Sequence, residues 1–238
     1  MGTYLPAPAT GEANLLQERP TRVTDQVAKL IRERIWKGAH HPGDRLVEMV
    51  LARQFGVGQN VVREALIVLE HQGYVQRFPR KGTYVISLDD NDVVKLYEVR
   101  TPWELLVADL IMARMKTETL DFSLAERAIA GMHDAVKREA FQTLTDWDLE
   151  FHRTLWRLAD NKYLYDALER VSTPLMAFTT IQELTTPQEL APHEQSVVDH
   201  EALLAAVKAC SREQVRHALF LQQEHSIKWR PFGRHGKK

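Results

Sequence analysis

The segment from Leu51 to Val85 alternates apolar faces and chain breakers at a spacing that few folds accommodate. Leu51, Ala52 and Phe55 share one face of a short helix running from about Val47 to Phe55, and Gly56-Val57-Gly58 then interrupts it. A second helix from about Asn60 to His71 follows at once, with Val61, Ala65, Leu66 and Leu69 as its apolar stripe. After Gly73, Tyr74 to Phe78 and Thr83 to Ser87 favour extended strands, and Pro79-Arg80-Lys81-Gly82 between them reads as a hairpin turn. Upstream, Val23, Val27, Leu30, Ile31 and Ile35 recur at helical spacing; Gly38 ends that helix before the turn His41-Pro42-Gly43-Asp44. Helix, helix, tight turn, helix and β-hairpin, in that order, make a winged helix-turn-helix. In such a unit the turn sets the later helix against a DNA groove and the hairpin tip reaches an adjacent one.

Charge follows the same division. The formal net charge is −1, yet residues 20–87 carry 11 Lys/Arg against 6 Asp/Glu, and residues 88–230 carry 16 against 24. A basic amino-terminal part joined to an acidic remainder suits a polyanion-binding unit fused to a unit of another kind. The stretch Ser87-Leu88-Asp89-Asp90-Asn91-Asp92 is polar and rich in helix-capping residues, which places the junction at 88–91. Beyond it the periodicity gives six helices, near 92–116, 121–138, 141–159, 161–183, 194–209 and 211–229, with no convincing strand. Pro102 is expected to bend the first of these, and Thr185-Thr186-Pro187, with Pro192 after it, reads as the clearest loop.

The expected fold class is therefore mainly α. A winged helix-turn-helix occupies 20–87 and an all-α six-helix bundle occupies 92–230, between flexible tails at 1–19 and 231–238. Hydrophobic residues at 44% leave material for a real core. No apolar run reaches the roughly 18 residues of a membrane span, since Leu105 to Ala113 is broken by Asp109. Residues 1–19 contain Pro6, Pro8, Gly11 and Glu12 but no apolar stretch behind a basic one, so they do not read as a secretory signal. Cys210, the single cysteine, cannot form an internal disulfide, and the expected location is the cytoplasm.

A long ordered series of residues carries a resemblance. Leu51-Ala52-Arg53-Gln54-Phe55-Gly56-Val57, Val62-Arg63-Glu64-Ala65-Leu66, Leu69-Glu70, Gly73-Tyr74-Val75 and Arg80-Lys81-Gly82-Thr83-Tyr84-Val85, with Gly38 and Pro42-Gly43-Asp44-Arg45-Leu46 upstream, resemble the GntR family of bacterial regulators. Tyr97-Glu98-Val99-Arg100, Glu104, Asp148-Leu149-Glu150-Phe151-His152 and Asp199-His200-Glu201-Ala202-Leu203-Leu204 resemble the FadR-type ligand-binding domain of one branch of that family. Six helices rather than seven match its shorter, VanR-like variant. The resemblance implies a DNA-binding transcriptional regulator, a repressor, acting as a homodimer on an inverted-repeat operator. It also implies that a small molecule, a carboxylate, binds in the second domain.

The residues themselves indicate how DNA would be read. Gln59, Asn60 and Arg63 stand at i, i+1 and i+4, so they project toward one groove from the start of the third helix. Arg63 suits guanine or a phosphate, and the amide of Gln59 or Asn60 suits adenine. Arg53 on the preceding helix and Arg80, Lys81, Gly82 and Thr83 at the hairpin complete the expected contact set. The chain departs from the family pattern in three places: Gln59 and Met49 stand where Arg is common, and Gly58 where Ser or Thr is common. A relaxed or A·T-shifted preference opposite Gln59 follows.

In the second domain Asp148 and His152 lie one helical turn apart, an arrangement that with His200 suits a divalent metal such as zinc, nickel or manganese. Metal-binding relatives place a third His 22 positions after the second, where this chain has Gln222; His225, one turn further on, is the other candidate for the fourth ligand. Alternatively these residues form a buried hydrogen-bonded cluster that meets the effector directly. Arg100 corresponds to a family position that often faces the effector, and its planar fork matches a carboxylate, although Glu104 at i+4 is an equally good partner. Leu175-Met176-Ala177-Phe178 is apolar where many relatives carry arginine, which suggests an aromatic or hydrophobic acid or simply a helix packed in the core. Two other readings stay open. One is a DNA-binding activator or architectural protein with a degenerate sensor. The other is a metal-dependent enzyme, which has against it the lack of an H-E-x-x-H motif and of an evident base or nucleophile.

Overall fold

The structure, a computed structural model, describes residues 23–185 and 190–229. The tails expected at 1–19 and 231–238 lie outside the described residues. The amino-terminal part contains α1 (Val23–Trp36), β1 (Arg45–Leu46), α2 (Glu48–Phe55), α3 (Gln59–His71), β2 (Val75–Phe78) and β3 (Gly82–Val85). Six helices follow: α4 (Asp90–Arg114), α5 (Ser123–Lys137), α6 (Phe141–Leu158), α7 (Lys162–Thr185), α8 (Ala191–Lys208) and α9 (Arg212–Trp229). The architecture is thus mainly helical, a winged helix-turn-helix followed by an all-α bundle.

Several local expectations need correction. The hairpin is one part of a three-stranded antiparallel sheet of order β1-β3-β2, because Arg45 pairs with Tyr84 and Leu46 with Thr83. Two residues are too few to show a period, so β1 left no signal in the sequence. In α3 the inward valine is Val62, fully buried, and Val61 is only half-buried. With the helix starting at Gln59, positions 62, 65, 66 and 69 form one clean stripe and 61 falls at its edge. In α1 the core face is Val27, Ala28, Ile31 and Ile35, while Val23 and Leu30 are exposed. Thr185 closes α7 and Pro192 lies in the first turn of α8, where a missing N–H costs nothing; residues 186–189 of the expected loop lie outside the described residues. Pro102 sits inside α4 on an exposed position, and the helix runs through it to Arg114.

Two apolar cores organise the chain. The bundle core is built around Phe151, Trp156, Met132, Ile111 and Leu168. The other joins Ile31, Ile35, Leu66 and Leu69 of the winged helix to Val93 and Tyr97 of α4 and to Leu175, Phe178 and Ile181 of α7. Hence α4 and α7 each serve both cores. From Leu175 to Phe178 every residue of α7 is buried, so that apolar run is core, shared with the winged helix. The start of α4 is held by a capping box, with the Asp92 N–H donating to Asp89 Oδ1 (2.8 Å) and the Asp89 N–H to Asp92 Oδ2 (3.2 Å).

The two parts meet at a close backbone contact. Gly73, at φ +75°, lies against α7 so closely that a Cβ there would come within 2.6 Å of the Thr173 carbonyl oxygen. Only glycine satisfies both the left-handed backbone and the approach. Around it Arg32 lies over the rings of Trp36 (5.0 Å) and Tyr74 (5.9 Å).

Candidate functional site

Two polar sites stand out, one on the surface of the winged helix and one at the centre of the bundle.

The surface site begins at the α2–α3 turn. Gly56 closes α2 in the left-handed conformation (φ +66°), and Gly58 opens α3 without a side-chain cap. Gln59, Asn60 and Arg63 are all exposed on the first turns of α3. Arg63 is already engaged: its Nη2 donates to Glu48 Oε2 (2.9 Å), its Nε meets the same carboxylate (3.2 Å), and its Nη1 reaches Asn60 Oδ1 (3.5 Å). Arg53 is exposed beside Met49, with 3.9 Å between Nη2 and Sδ. At the hairpin tip Arg80 adopts φ +63° and both it and Lys81 are exposed. Thr83 is a correction, because strand alternation turns it inward and leaves it only 5% exposed, too covered to touch a duplex. Gly82 is exposed, and the guanidinium of Arg45 lies over it; a Cβ there would sit 3.1 Å from Nε. Arg45 was not among the expected contacts, since the strand that carries it was invisible in the sequence.

The bundle site gathers α4, α6, α8 and α9. Asp148 and His152 of α6 and His200 of α8 are buried, and one ligand atom from each falls within 4.8 Å of the others. Asp148 Oδ1 lies 3.4 Å from His200 Nε2 and 3.7 Å from His152 Nε2. The far nitrogens are turned outward to fixed acceptors. His200 Nδ1 donates to the Ser196 carbonyl (2.6 Å), and His152 Nδ1 lies 3.2 Å from Glu104 Oε1 without hydrogen-bond alignment. Such outer partners aim the inner nitrogens at the common centre. Glu104 is itself gripped by Arg100 Nε (3.2 Å) and the Trp156 indole N–H (3.0 Å), all of it buried. Of the two candidates for a fourth position, Gln222 is at the site, its Nε2 2.9 Å from His200 Nε2 and 3.4 Å from His152 Nε2. His225 is turned to Asp199, 2.7 Å from Nδ1 to Oδ2, so the expectation that it might complete the set is corrected. Asp199, also buried, satisfies that imidazole outside the cluster.

The electrostatics of this centre are one-sided. Burial pushes Glu104 up, but His152, Arg100 and the Trp156 indole outweigh it and bring the carboxyl down to about 2. Burial likewise opposes ionisation of Asp148, and His200, His152 and Arg100 outweigh it, holding the group below its ordinary value. His152 is pushed down by burial and by Arg100, which keeps its lone pair available near neutral pH. His200 is drawn up, because Asp148 more than offsets burial. The space between Asp148 and His200 therefore favours positive charge, supplied by a proton or a cation. Three buried atoms here lack a hydrogen-bond partner among the described residues: Asp148 Oδ1, Arg100 Nη2 and His152 Nδ1, the last of which still lies against Glu104. The donor set fits a divalent ion: two imidazole nitrogens, a carboxylate oxygen and, after a half-turn of the amide, the Gln222 oxygen.

A winged helix with an exposed polar helix start, joined to a helical bundle with a buried polar centre, defines a DNA-binding regulator with its own sensor. Residues 23–85 match the family described as bacterial regulatory proteins, gntR family, and residues 95–221, more than half the chain, match the FCD domain. The chain belongs to the GntR family of transcriptional regulators, in the branch that carries an FCD effector-binding domain. It is 26% identical to the uncharacterized HTH-type transcriptional regulator YdhC of Bacillus subtilis, over 87% of this chain and 91% of that one. It is 27% identical to the gluconate operon transcriptional repressor of B. subtilis (84% and 79% covered) and 27% identical to the HTH-type transcriptional repressor RspR of Escherichia coli (73% and 77%). Among solved structures, E. coli McbR/YncC shares the fold with a TM-score of 0.65 at 21% identity, covering 87% of this chain and 95% of that one. The family and these relatives are regulators, not enzymes, which disposes of the catalytic reading.

Proposed function

We propose that this protein is a ligand-responsive repressor that binds an inverted-repeat operator as a homodimer and is released by an organic acid held, together with a divalent metal, in the FCD domain. The observation that carries this reading is that Asp148 Oδ1 and Arg100 Nη2, both buried, lack a hydrogen-bond partner among the described residues. A buried carboxylate oxygen without a donor invites a cation, and a buried guanidinium nitrogen without an acceptor invites an anion. Asp148, His152 and His200 would hold the cation, and the carboxylate of an organic acid would meet Arg100. Zinc, nickel and manganese all suit two imidazoles with oxygen ligands, and the metal would supply the positive charge that the Asp148–His200 contact favours.

The DNA end of the reading rests on exposure. Gln59, Asn60 and Arg63 form a polar helix start that is exposed among the described residues, flanked by Arg53 and by the tip residues Arg80 and Lys81. Two relatives are repressors by name, which supports the sign. Two-fold operators reward two-fold proteins, which supports the dimer. No helix among the described residues is long and apolar enough to cross a membrane, in keeping with a regulator in the cytoplasm. Coupling between the ends has a physical carrier, since α4 bears Arg100 and Glu104 in the bundle and Val93 and Tyr97 in the winged-helix core. A ligand that binds the two arrangements of α4 unequally shifts the spacing of the recognition helices.

The test is a metal analysis of the purified protein, followed by operator binding with and without metal and a panel of carboxylic acids. Zinc, nickel or manganese should raise the thermal midpoint of the wild type and leave His200→Ala unmoved. Identical operator affinity across all conditions would refute ligand regulation.

A further inference from the structure

An acidic side chain, Glu48, sits against Arg63 on the face proposed to meet a polyanion. Glu48 is the first residue of α2, and its side chain is 24% exposed beside that of Arg63 at 49%. A carboxylate on a DNA-facing surface repels phosphate and should weaken binding. Its contacts show what it does instead. Glu48 takes the Nε and Nη2 hydrogens of Arg63 side-on, at 3.2 and 2.9 Å. A guanidinium has five N–H donors, so the opposite edge, formed by Nη1 and the second Nη2 hydrogen, keeps a parallel pair of donors. The only other contact of that edge among the described residues is the long 3.5 Å approach of Nη1 to Asn60 Oδ1. Two parallel donors match the O6 and N7 acceptors that guanine presents in the major groove.

We infer that Glu48 is a specificity-determining positioning residue, a buttress that holds Arg63 so that its Nη1/Nη2 edge is presented to a guanine and withheld from phosphate. The inference rests on the reading that the start of α3 enters the groove. Fixing the fork in advance removes the entropy cost of ordering a long flexible side chain at the moment of contact. It also cancels the charge that would make Arg63 a good phosphate ligand at every site. Non-specific affinity is thereby lowered and the contact at one base pair sharpened.

The experiment uses the full-length protein and a duplex selected from randomised sequence, with every base pair replaced in turn and binding followed by anisotropy over a range of KCl. Arg63→Ala identifies the base pair that Arg63 reads. Glu48→Gln should lose discrimination at that same pair, roughly 5- to 50-fold. Its affinity for unrelated DNA should hold or rise, with a salt slope steeper by about one unit as Arg63 turns to a phosphate. Glu48→Asp, which keeps the charge on a shorter arm, should fall between the two. Wild-type discrimination in Glu48→Gln at the pair that Arg63→Ala disturbs would overturn the buttress while leaving the groove reading intact. No effect of Arg63→Ala anywhere would remove the groove reading and the buttress with it. Thermal midpoints of both Glu48 variants separate this from a packing role: a merely structural contact would lower the midpoint and weaken all duplexes alike.

Discussion

Each working end of the molecule has an Arg–Glu pair, and the two pairs do opposite work because of where they stand. Arg63 and Glu48 bridge two short helices in open solvent, with side chains 49% and 24% exposed. Arg100 and Glu104 lie one turn apart on α4, at 5% and 3%. In water an ion pair gains little, since each charge is already well solvated, so the outer pair holds a direction and contributes negligibly to stability. Inside the bundle neither charge has water to fall back on, and each must be satisfied by protein. Glu104 meets that demand with hydrogen bonds from Arg100 and Trp156 and a close approach of His152, whereas Arg100 keeps one nitrogen unmet among the described residues. The same two residue types make a pointer at one end and a charged anchor with an open valence at the other.

The contrast is open to direct attack, and the largest effect belongs to the inner pair. Glu104→Ala leaves Arg100 and the Trp156 N–H without their carboxylate and should cost about 3–5 kcal/mol in urea unfolding, the usual loss for breaking a buried pair. Glu48→Gln, in the same experiment, should leave the midpoint within scatter; equal losses from the two would erase the distinction. Next comes the seam between the two ends. Gly73→Ala adds a Cβ where the Thr173 carbonyl already stands and forces a left-handed alanine, so roughly 1–3 kcal/mol should be lost. Calorimetry should also show the winged helix and the bundle melting apart, and a single unshifted transition would mean that the contact is dispensable.

A smaller effect sharpens the inner site. Gln222→His places a third imidazole beside His152 and His200, and zinc should bind more tightly, each tenfold in Kd adding about 1.4 kcal/mol of stabilisation at saturating metal. Isothermal titration with zinc would detect it, and unchanged affinity would place Gln222 outside the coordination sphere. The smallest effect is on the half-buried Glu169. Burial pushes its carboxyl up, but Arg153, Thr173 and Tyr165 outweigh this and hold it below its ordinary value of 4.5. A depressed carboxyl adds stability that is whole above about pH 4.5 and is lost as the pH falls through its folded value. The gap between wild type and Glu169→Gln, under about 1 kcal/mol after solvent screening, should therefore close on acidification. A gap that widened would reverse the assignment.

Legibility in the sequence was uneven, and the unevenness is physical. The helices of the winged unit and the bundle could be read because each buries one face, and a buried face writes a period of three and four into the chain. Asp148 and His152 could be paired because four residues are one turn. Arg100 and Glu104 showed the same spacing, but the sequence left two partners open for the arginine. The Trp156 contact with Glu104, 52 residues away, has no local signature at all. Thr83 reads as exposed from its neighbours at the hairpin tip, yet strand alternation turns it in. Glu48 carries no signature of its own in the sequence, because its role depends on Arg63, 15 residues on, across the α2–α3 turn.

What the amino-acid order determined by itself was local: which segments coil, where glycine and proline stop them, which residues start the third helix, and the family to which these belong. The choice of Gln222 over His225 beside the two histidines was made by packing of α9 against α8, since Asp199 claims the latter imidazole. Packing likewise decided that α7 belongs to both cores and that Gly73 seats against its backbone. Such outcomes turn on distances between elements far apart in the chain. Periodicity constrains which face a helix buries, but not which neighbour it is buried against.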